Sequence, residues 1–389
     1  MRPQELIDAV SDLNDIAGVL NNSFVAREEV VEMLLIGAIA QEHLLLAGPP
    51  GTGKSELVKQ FAQLSTAVEP EDGTTPYFEY LLTRFTEPNE LFGPVDIRTF
   101  QEGGGYRRLI KGLLPTAELA FLDEIFKANS AILNALLTIL NERLFYNGGR
   151  PESIPLLFLV GATNEVPEDP ELAALYDRFP IRLWTDNVDE SRFDELLQCG
   201  WRQERRKIRD GGRNRLGNLT DSRTLRRLNA ALKRVDLSPI RRAFTEVIRR
   251  IRAEGIEISD RRAIKMFKLV AAAALRRGSL EAGPSDFHIL RHCWNRRDQA
   301  IHLEAILETY LEDKATGRGP GRQFETLEAE CKTLEEQSRQ LDTDIDLADF
   351  LHQAERLRRE LAESTDPRTL SIRERLEGLI DTTLEQLSD

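Results

Sequence analysis

The residues best equipped for chemistry are Gly48, Pro49, Pro50, Gly51, Thr52, Gly53, Lys54 and Ser55, which fit G-x-x-x-x-G-K-[ST]. They sit between the apolar run Leu44-Leu45-Leu46-Ala47 and the helix-like Glu56–Phe61, the strand-loop-helix context that gives the pattern its meaning. Glycines let backbone N–H groups turn toward phosphate oxygens, and a helix start adds the positive end of its dipole. Lys54 is expected to reach the β- and γ-phosphates of a nucleotide and Ser55 to hold Mg²⁺.

Four apolar residues, Leu119 to Leu122, run into Asp123 and Glu124, at what the pattern predicts is the C-terminal edge of a parallel strand. Asp123 is placed to orient Mg²⁺, since a hard cation takes carboxylate oxygen, and Glu124 to polarise an attacking water. Asn164 follows a further apolar run, Pro155–Ala162, where an amide can donate to a γ-phosphate and hold a water in line. Arg178 admits two readings: an ion-pair partner of Asp177, or an arginine finger aimed at a neighbouring subunit. Arg261 and Arg262 follow Ser259 and Asp260, either of which suits a helix N-cap, and they either reach a nucleotide from a lid or stand in solvent.

Composition narrows the setting. A chain of 389 residues, 41% hydrophobic, supports two or three domains, and no apolar run approaches the length of a membrane span. Met1–Leu6 lacks the apolar core of a signal peptide, and Cys199, Cys293 and Cys331 form no disulfide framework, so a cytoplasmic protein is expected. His288, His292 and Cys293 read as ordinary helix residues rather than a metal site. A net charge of −13 speaks against nucleic-acid binding. The arginine clusters from Arg202 to Arg250 lack interleaved aromatics and read as solvated helix faces.

The elements around these groups predict an α/β core, a parallel sheet flanked by helices, over residues 1–188, an all-α lid over 189–312 and a C-terminal helical bundle over 313–389. Helices are expected over 5–20, 25–40 and 129–144, and strands over 43–47, 77–82 and 155–162. The stretch Thr86–Lys111, rich in Pro, Gly and charge, suits a hairpin or mobile loop, and Phe145–Pro155 a turn or hairpin. The lid pattern gives helices at Glu190–Leu197, Leu225–Lys233, Ile240–Ile251 and Arg261–Leu275, with Gly211-Gly212 as a loop. After the break at Ala315–Gly321, Phe324, Leu327, Cys331, Leu334, Leu341 and Ile345 fall at heptad positions interrupted by Ser338. Leu347–Leu361 and Leu370–Leu387 supply two more helices.

In order and spacing these motifs resemble an AAA+ ATPase of the MoxR family, over about residues 5 to 310. The resemblance is closest to the RavA branch, through Phe78–Phe85, Leu91-Phe92-Gly93-Pro94, Phe121–Ile125, Leu175–Arg178 and Ser259–Arg262. It implies ATP and Mg²⁺ as ligands, Lys54 and Ser55 as Walker A, Asp123 and Glu124 as Walker B, and Asn164 as sensor 1. Arg178 is similar to the family's arginine finger; Arg261 best matches sensor 2, with Arg262 the adjacent alternative. The family also implies a hexameric ring with ATP between subunits, a chaperone-like remodelling activity, and a partner carrying a von Willebrand factor A (vWA) domain. The C-terminal segment departs from the RavA pattern, because about 75 residues leave room for a triple helix and little for the separate β-rich insert. A slow nucleotide-dependent scaffold is the alternative function. A DNA-directed motor is disfavoured by the acidic balance and by a hairpin with Arg150 as its one basic residue.

Overall fold

A computed structural model describes residues 3–66, 74–101, 103, 105–167, 169–209 and 217–311, and farther along residues 331, 334, 338, 354, 357, 372, 373 and 375–380. The chain divides into two compact units, Met1–Glu308 and Thr309–Asp389. The first opens with α1 (Pro3–Asn21), α2 (Glu28–Ala40), β1 (Leu44–Ala47), α3 (Lys54–Ser65) and β2 (Thr75–Leu81). Then come α4 (Pro88–Phe92), α5 (Ile97–Gln101), β3 (Ala117–Asp123), α6 (Ser130–Glu142), β4 (Leu144–Asn147), β5 (Arg150–Ser153), β6 (Phe158–Thr163), α7 (Ala173–Tyr176) and β7 (Ile181–Trp184). The helical part holds α8 (Phe193–Arg209), α9 (Ser222–Ala231), α10 (Arg241–Ala253), α11 (Asp260–Arg276) and α12 (Gln299–Leu311).

Five strands form one parallel sheet in the order β2-β3-β6-β1-β7. A parallel sheet is covered on both faces, so its central strands are apolar without alternation, and every residue of β1 and β6 is buried. At the edge, β2 buries only Phe78. The helix α2 is apolar nearly all round because the sheet side and α1, α9 and α11 all pack on it, burying Val30, Val31 and Met33–Ala40. Each large side chain sealed this way contributes about 1.5–3 kcal/mol.

Several polar residues are built into this core, His43 among them. His43, just before β1, accepts a hydrogen bond at Nδ1 from the Leu159 N–H at 3.0 Å, which fixes the proton on Nε2, 3.1 Å from the Leu140 carbonyl. Burial holds its pKa well below the ordinary 6.5, with the nearby cation of Arg143 acting in the same direction. The unfolded chain therefore binds a proton that the folded chain refuses. Stability from this site is intact above pH 6.5 and falls on acidification, by about 1.4 kcal/mol per pH unit until the folded-state value is reached. Denaturant midpoints at pH 7 and pH 5 should show that slope, and His43→Leu should flatten it while lowering the neutral-pH midpoint, since two buried backbone groups lose their partners.

In the Thr86–Lys111 stretch, expected as a hairpin or mobile loop, the described residues form α4, α5 and an antiparallel bridge between Val95 and Arg108. Pro88 opens α4 at a position where its missing N–H costs nothing, and Glu90 Oε1 accepts from the Glu87 N–H at 2.7 Å. Asp96 caps the next turn through Thr99 Oγ1 and the Arg98 and Thr99 N–H groups. The expected hairpin at 145–155 does form, from β4 and β5 around Gly148 and Gly149.

In the helical part, α8 runs to Arg209, well past Leu197, and is preceded by a turn in which Asp189 accepts from the Ser191 N–H. Several arginines of the helical part pair with carboxylates: Arg226 with Glu118, Arg227 with Glu5, Arg250 with Glu246 and Arg252 with Asp260. Gly211-Gly212 lies outside the described residues. No helix of the described residues is long and apolar enough to cross a membrane.

In the second unit Cys331, Leu334, Ala354, Leu357, Ile372, Leu376 and Ile380 are buried together in one cluster. All seven are helical residues, and Cys331 and Leu334 fall where the heptad spacing predicts. Phe324, Leu327, Leu341 and Ile345 lie outside the described residues.

Candidate nucleotide site

Register brings the motif residues to one edge of the sheet. Ala47 pairs with Thr163 and Leu122 with Gly161, so β1, β6 and β3 end level and hand over to the phosphate loop, Asn164 and Asp123-Glu124 respectively. This is the carboxyl edge, where open α/β sheets bind ligands.

The loop is held from several sides. The Gly48 N–H donates to the Thr163 carbonyl at 3.1 Å, and Thr185, just past β7, returns its N–H and hydroxyl to the Ala47 carbonyl at 2.8 and 3.2 Å. Gly48 has φ +140°, and a Cβ there would be driven into the Thr185 carbonyl oxygen. Gly51 also has positive φ, +82°, but open space around it. Gly48→Ala is therefore expected to lower the thermal midpoint well beyond Gly51→Ala, which bears only a left-handed backbone penalty of about 1–2 kcal/mol. A matched thermal melt of the two variants checks this.

Lys54 begins α3, and its ammonium folds back to the Gly48 and Pro49 carbonyls at 2.7 and 2.8 Å. Burial lowers its pKa, while the charges of Asp123 and Glu124 pull it up. Asp123 Oδ1 accepts from the Glu124 N–H at 2.9 Å. Glu124 itself adopts a left-handed backbone, φ 51° and ψ 44°, which costs a non-glycine residue on the order of 1–3 kcal/mol and turns its side chain out of the strand line. Its Oε1 accepts from Asn164 Nδ2 at 2.5 Å and from Lys127 Nζ at 3.0 Å. Glu124 and Asn164 are thus in direct contact.

The arginines form a second group, at the seam between core and lid. Arg178 Nη1 lies 3.4 Å from Asp177 Oδ2, and its Nε is buried with no hydrogen-bond partner among the described residues. Burial, and then Arg261, depress its pKa, so the two cations are electrostatic neighbours. Ser259 is the N-cap of α11, accepting from the Arg262 N–H at 3.2 Å, and its hydroxyl also faces Asp177 at 3.4 Å. Arg261 is exposed at the start of α11, whereas Arg262 points inward, with Nη1 on Asn295 Oδ1 and Nη2 on the Cys293 carbonyl, both at 2.5 Å.

Several contributors have no sequence motif. Arg182, in β7, is fully buried and donates to the carbonyls of Phe179, Tyr176 and Trp294 and to Asn295 Oδ1. Burial pushes its pKa down to about 9, still high enough for a cation at neutral pH, and its guanidinium lies 3.7 Å over the Tyr176 ring. Arg27, ahead of α2, donates to the Thr52 carbonyl inside the phosphate loop. An apolar strand and a charged helix start hide both residues from pattern reading. The histidines stay apart from this chemistry: His292 Nε2 lies 3.2 Å from Glu29 Oε1, His288 Nδ1 meets the Ser285 carbonyl, and Cys293 is buried.

A profile of the MoxR domain in MoxR-vWA-β-propeller ternary systems matches residues 11–221, and one of an AAA lid domain matches residues 237–307. An uncharacterised protein of Methanocaldococcus jannaschii is 38% identical over 288 residues, covering 74% of this chain and 72% of that protein. The chaperone MoxR1 of Mycobacterium tuberculosis is 29% identical over 163 residues, covering 41% of this chain and 40% of its own. The crystal structure of a candidate ATPase from Cytophaga hutchinsonii aligns with a TM-score of 0.60 at 19% identity, over 79% of this chain and 96% of that one, a likeness of fold.

Proposed function

Because the chain belongs to the MoxR family of AAA+ ATPases, we propose that it hydrolyses ATP and uses the cycle, as a hexameric ring, to remodel protein partners. The observation that carries the reading is the direct contact of Glu124 with Asn164 beside a phosphate loop whose lysine both carboxylates influence. Hydrolysis needs a water held in line and relieved of a proton while charge on the phosphoryl oxygens is neutralised. Glu124 takes the proton, Asn164 orients the water, and Lys54 with the backbone N–H groups of Gly51–Ser55 binds the phosphates. Mg²⁺ would supply further charge neutralisation. Its donors would be the Ser55 hydroxyl and the Asp123 carboxylate, a hard-oxygen set of which only Asp123 Oδ1 is engaged among the described residues.

Arg178 we assign to a neighbouring subunit's site, a reading its unpartnered Nε supports. Of the two lid arginines Arg261 is the sensor 2 candidate, since Arg262 is committed to Asn295 and Cys293. We keep 1–188 as the nucleotide-binding core, 189–312 as the lid, 313–389 as a C-terminal helical region, and the cytoplasm as the setting. The matching MoxR-vWA-β-propeller profile favours a partner with a vWA domain, and the Phe78–Phe85 and Leu91–Pro94 boxes favour kinship with the RavA branch.

Phosphate release from ATP with Mg²⁺, compared with Lys54→Ala, tests the activity; equal rates would refute it. Affinity capture with the Glu124→Gln protein held in ATP, against a version ending near Leu311, tests the role of the tail: a partner retained by both would remove recognition from it.

A further inference from the structure

Among the described residues, every hydrogen bond that Arg27 makes goes to a backbone carbonyl. Nε and Nη2 donate to Thr52 O at 3.3 and 3.2 Å, Nη2 also to Asp186 O at 2.7 Å, and Nη1 to Ala26 O at 2.7 Å. The residue is only 9% exposed, so its guanidinium depends on these acceptors. Thr52 belongs to the phosphate loop, whereas Asp186 lies just past β7, where the chain leaves the core for the helical lid. A brace for the loop alone would not need Asp186.

Asp186 is a node in its own right. Its Oδ1 accepts from Trp184 Nε1 at 2.8 Å and its Oδ2 from Arg297 Nη2 at 2.5 Å, while the Arg297 guanidinium lies 4.4 Å over the Trp184 ring. Arg297 is part of the lid, two residues beyond Asn295, which Arg182 and Arg262 tie down. A continuous path thus runs from a loop carbonyl through Arg27 and Asp186 to a lid cation.

We propose that Arg27 is a positioning residue and that, with Asp186 and Arg297, it couples the geometry of the phosphate loop to the seating of the lid. The inference rests on the nucleotide-binding reading above and deepens it by making affinity depend on a lid residue that does not itself touch the loop. Arg27 keeps the Thr52 carbonyl turned away from the phosphates so that the loop N–H groups face them, and Arg297 fixes Asp186, from which Arg27 takes its bearing.

The test is a set of dissociation constants for a fluorescent ADP analogue with Mg²⁺, on the full chain. Arg297→Ala should weaken binding about fivefold or more, the range of a genuine coupling, although its side chain is half exposed. Asp186→Asn, which keeps the carbonyl for Arg27 and removes the charge for Arg297, should weaken it equally, and the double variant no further. Arg27→Lys, unable to span both carbonyls, should weaken it more, and adding Arg297→Ala to it should change nothing. Arg297→Lys should recover part of the loss. Wild-type affinity in Arg297→Ala, or effects that multiply in the doubles, would overturn the coupling. Should Arg27→Lys not fold, as judged by its nucleotide-free melt, the Asp186 and Arg297 pair decides alone. Lys54→Ala is measured alongside: undiminished binding there would count against the nucleotide reading itself.

Discussion

Glu124→Gln is expected to lower the turnover of ATP by about 10²–10⁴-fold while leaving nucleotide affinity within a few-fold of wild type. The substitution is conservative where the structure needs it to be. Glutamine keeps a carbonyl oxygen at Oε1, so the hydrogen bond from Asn164 Nδ2 survives and the left-handed turn at residue 124 meets the same surroundings. What it loses is the negative charge, and with it the capacity to take a proton from water and the pairing with Lys127 at 3.0 Å. A base acts only in the chemical step, so its removal should lower kcat and kcat/KM together. Steady-state phosphate release and equilibrium binding of an ADP analogue separate the two quantities. Turnover equal to wild type would take Glu124 out of the mechanism. Lys127→Met offers a graded companion. It frees Glu124 of a partly exposed ion pair worth at most about 1 kcal/mol, so its effect on rate should be small beside that of Glu124→Gln.

The edge that carries the candidate site was legible in the sequence because its parts are strung on unbranched local patterns. An apolar run that ends in Gly48–Ser55, another that ends in Asp123-Glu124 and a third that ends in Thr163-Asn164 each announce a strand and the group it delivers, and the three do end level. The residues that hold this edge in place were not legible, for a physical reason. Arg27, Arg182 and Arg262 bond mainly to carbonyls, and Arg182 reaches Trp294 across 112 positions. Every residue offers a carbonyl, so such an acceptor leaves no residue type to search for. Helix phase was the weak point in ranking Arg261 against Arg262. Ile264, apolar but 71% exposed, shares a face with Arg261, whereas Met266 is fully buried, so hydrophobicity alone assigns the inward face ambiguously. The helices α4 and α5 are five residues each, too short for a 3.6-residue period to show, and proline, glycine and charge dominated the reading there.

Arg178→Ala carries the other large expectation: a loss of turnover on the order of 10³-fold or more, as for arginine fingers generally, recovered in part by mixing with Lys54→Ala protein. In the proposed ring, each variant alone spoils every site. In mixed rings a subunit that carries Arg178→Ala but keeps Lys54 meets a neighbour that keeps Arg178, and the site between them is whole. If subunits assort randomly and sites act independently, about a quarter of the boundaries in an equal mixture qualify, so activity should rise well above the sum of the two preparations. The competing reading makes a different prediction. Were Arg178 needed only to pair with Asp177 within its own chain, at 3.4 Å, Asp177→Asn should mimic Arg178→Ala, and mixing should rescue nothing. Asp177 also faces the Ser259 hydroxyl at the α11 N-cap, so its substitution should disturb the lid and register as a lower thermal midpoint. Removing Arg178, by contrast, relieves a half-buried cation whose Nε has no partner among the described residues, set beside Arg261, and should cost little stability or even raise it. A variant as stable as wild type, inactive alone and active in mixtures, would place the chemistry of Arg178 in the adjoining subunit.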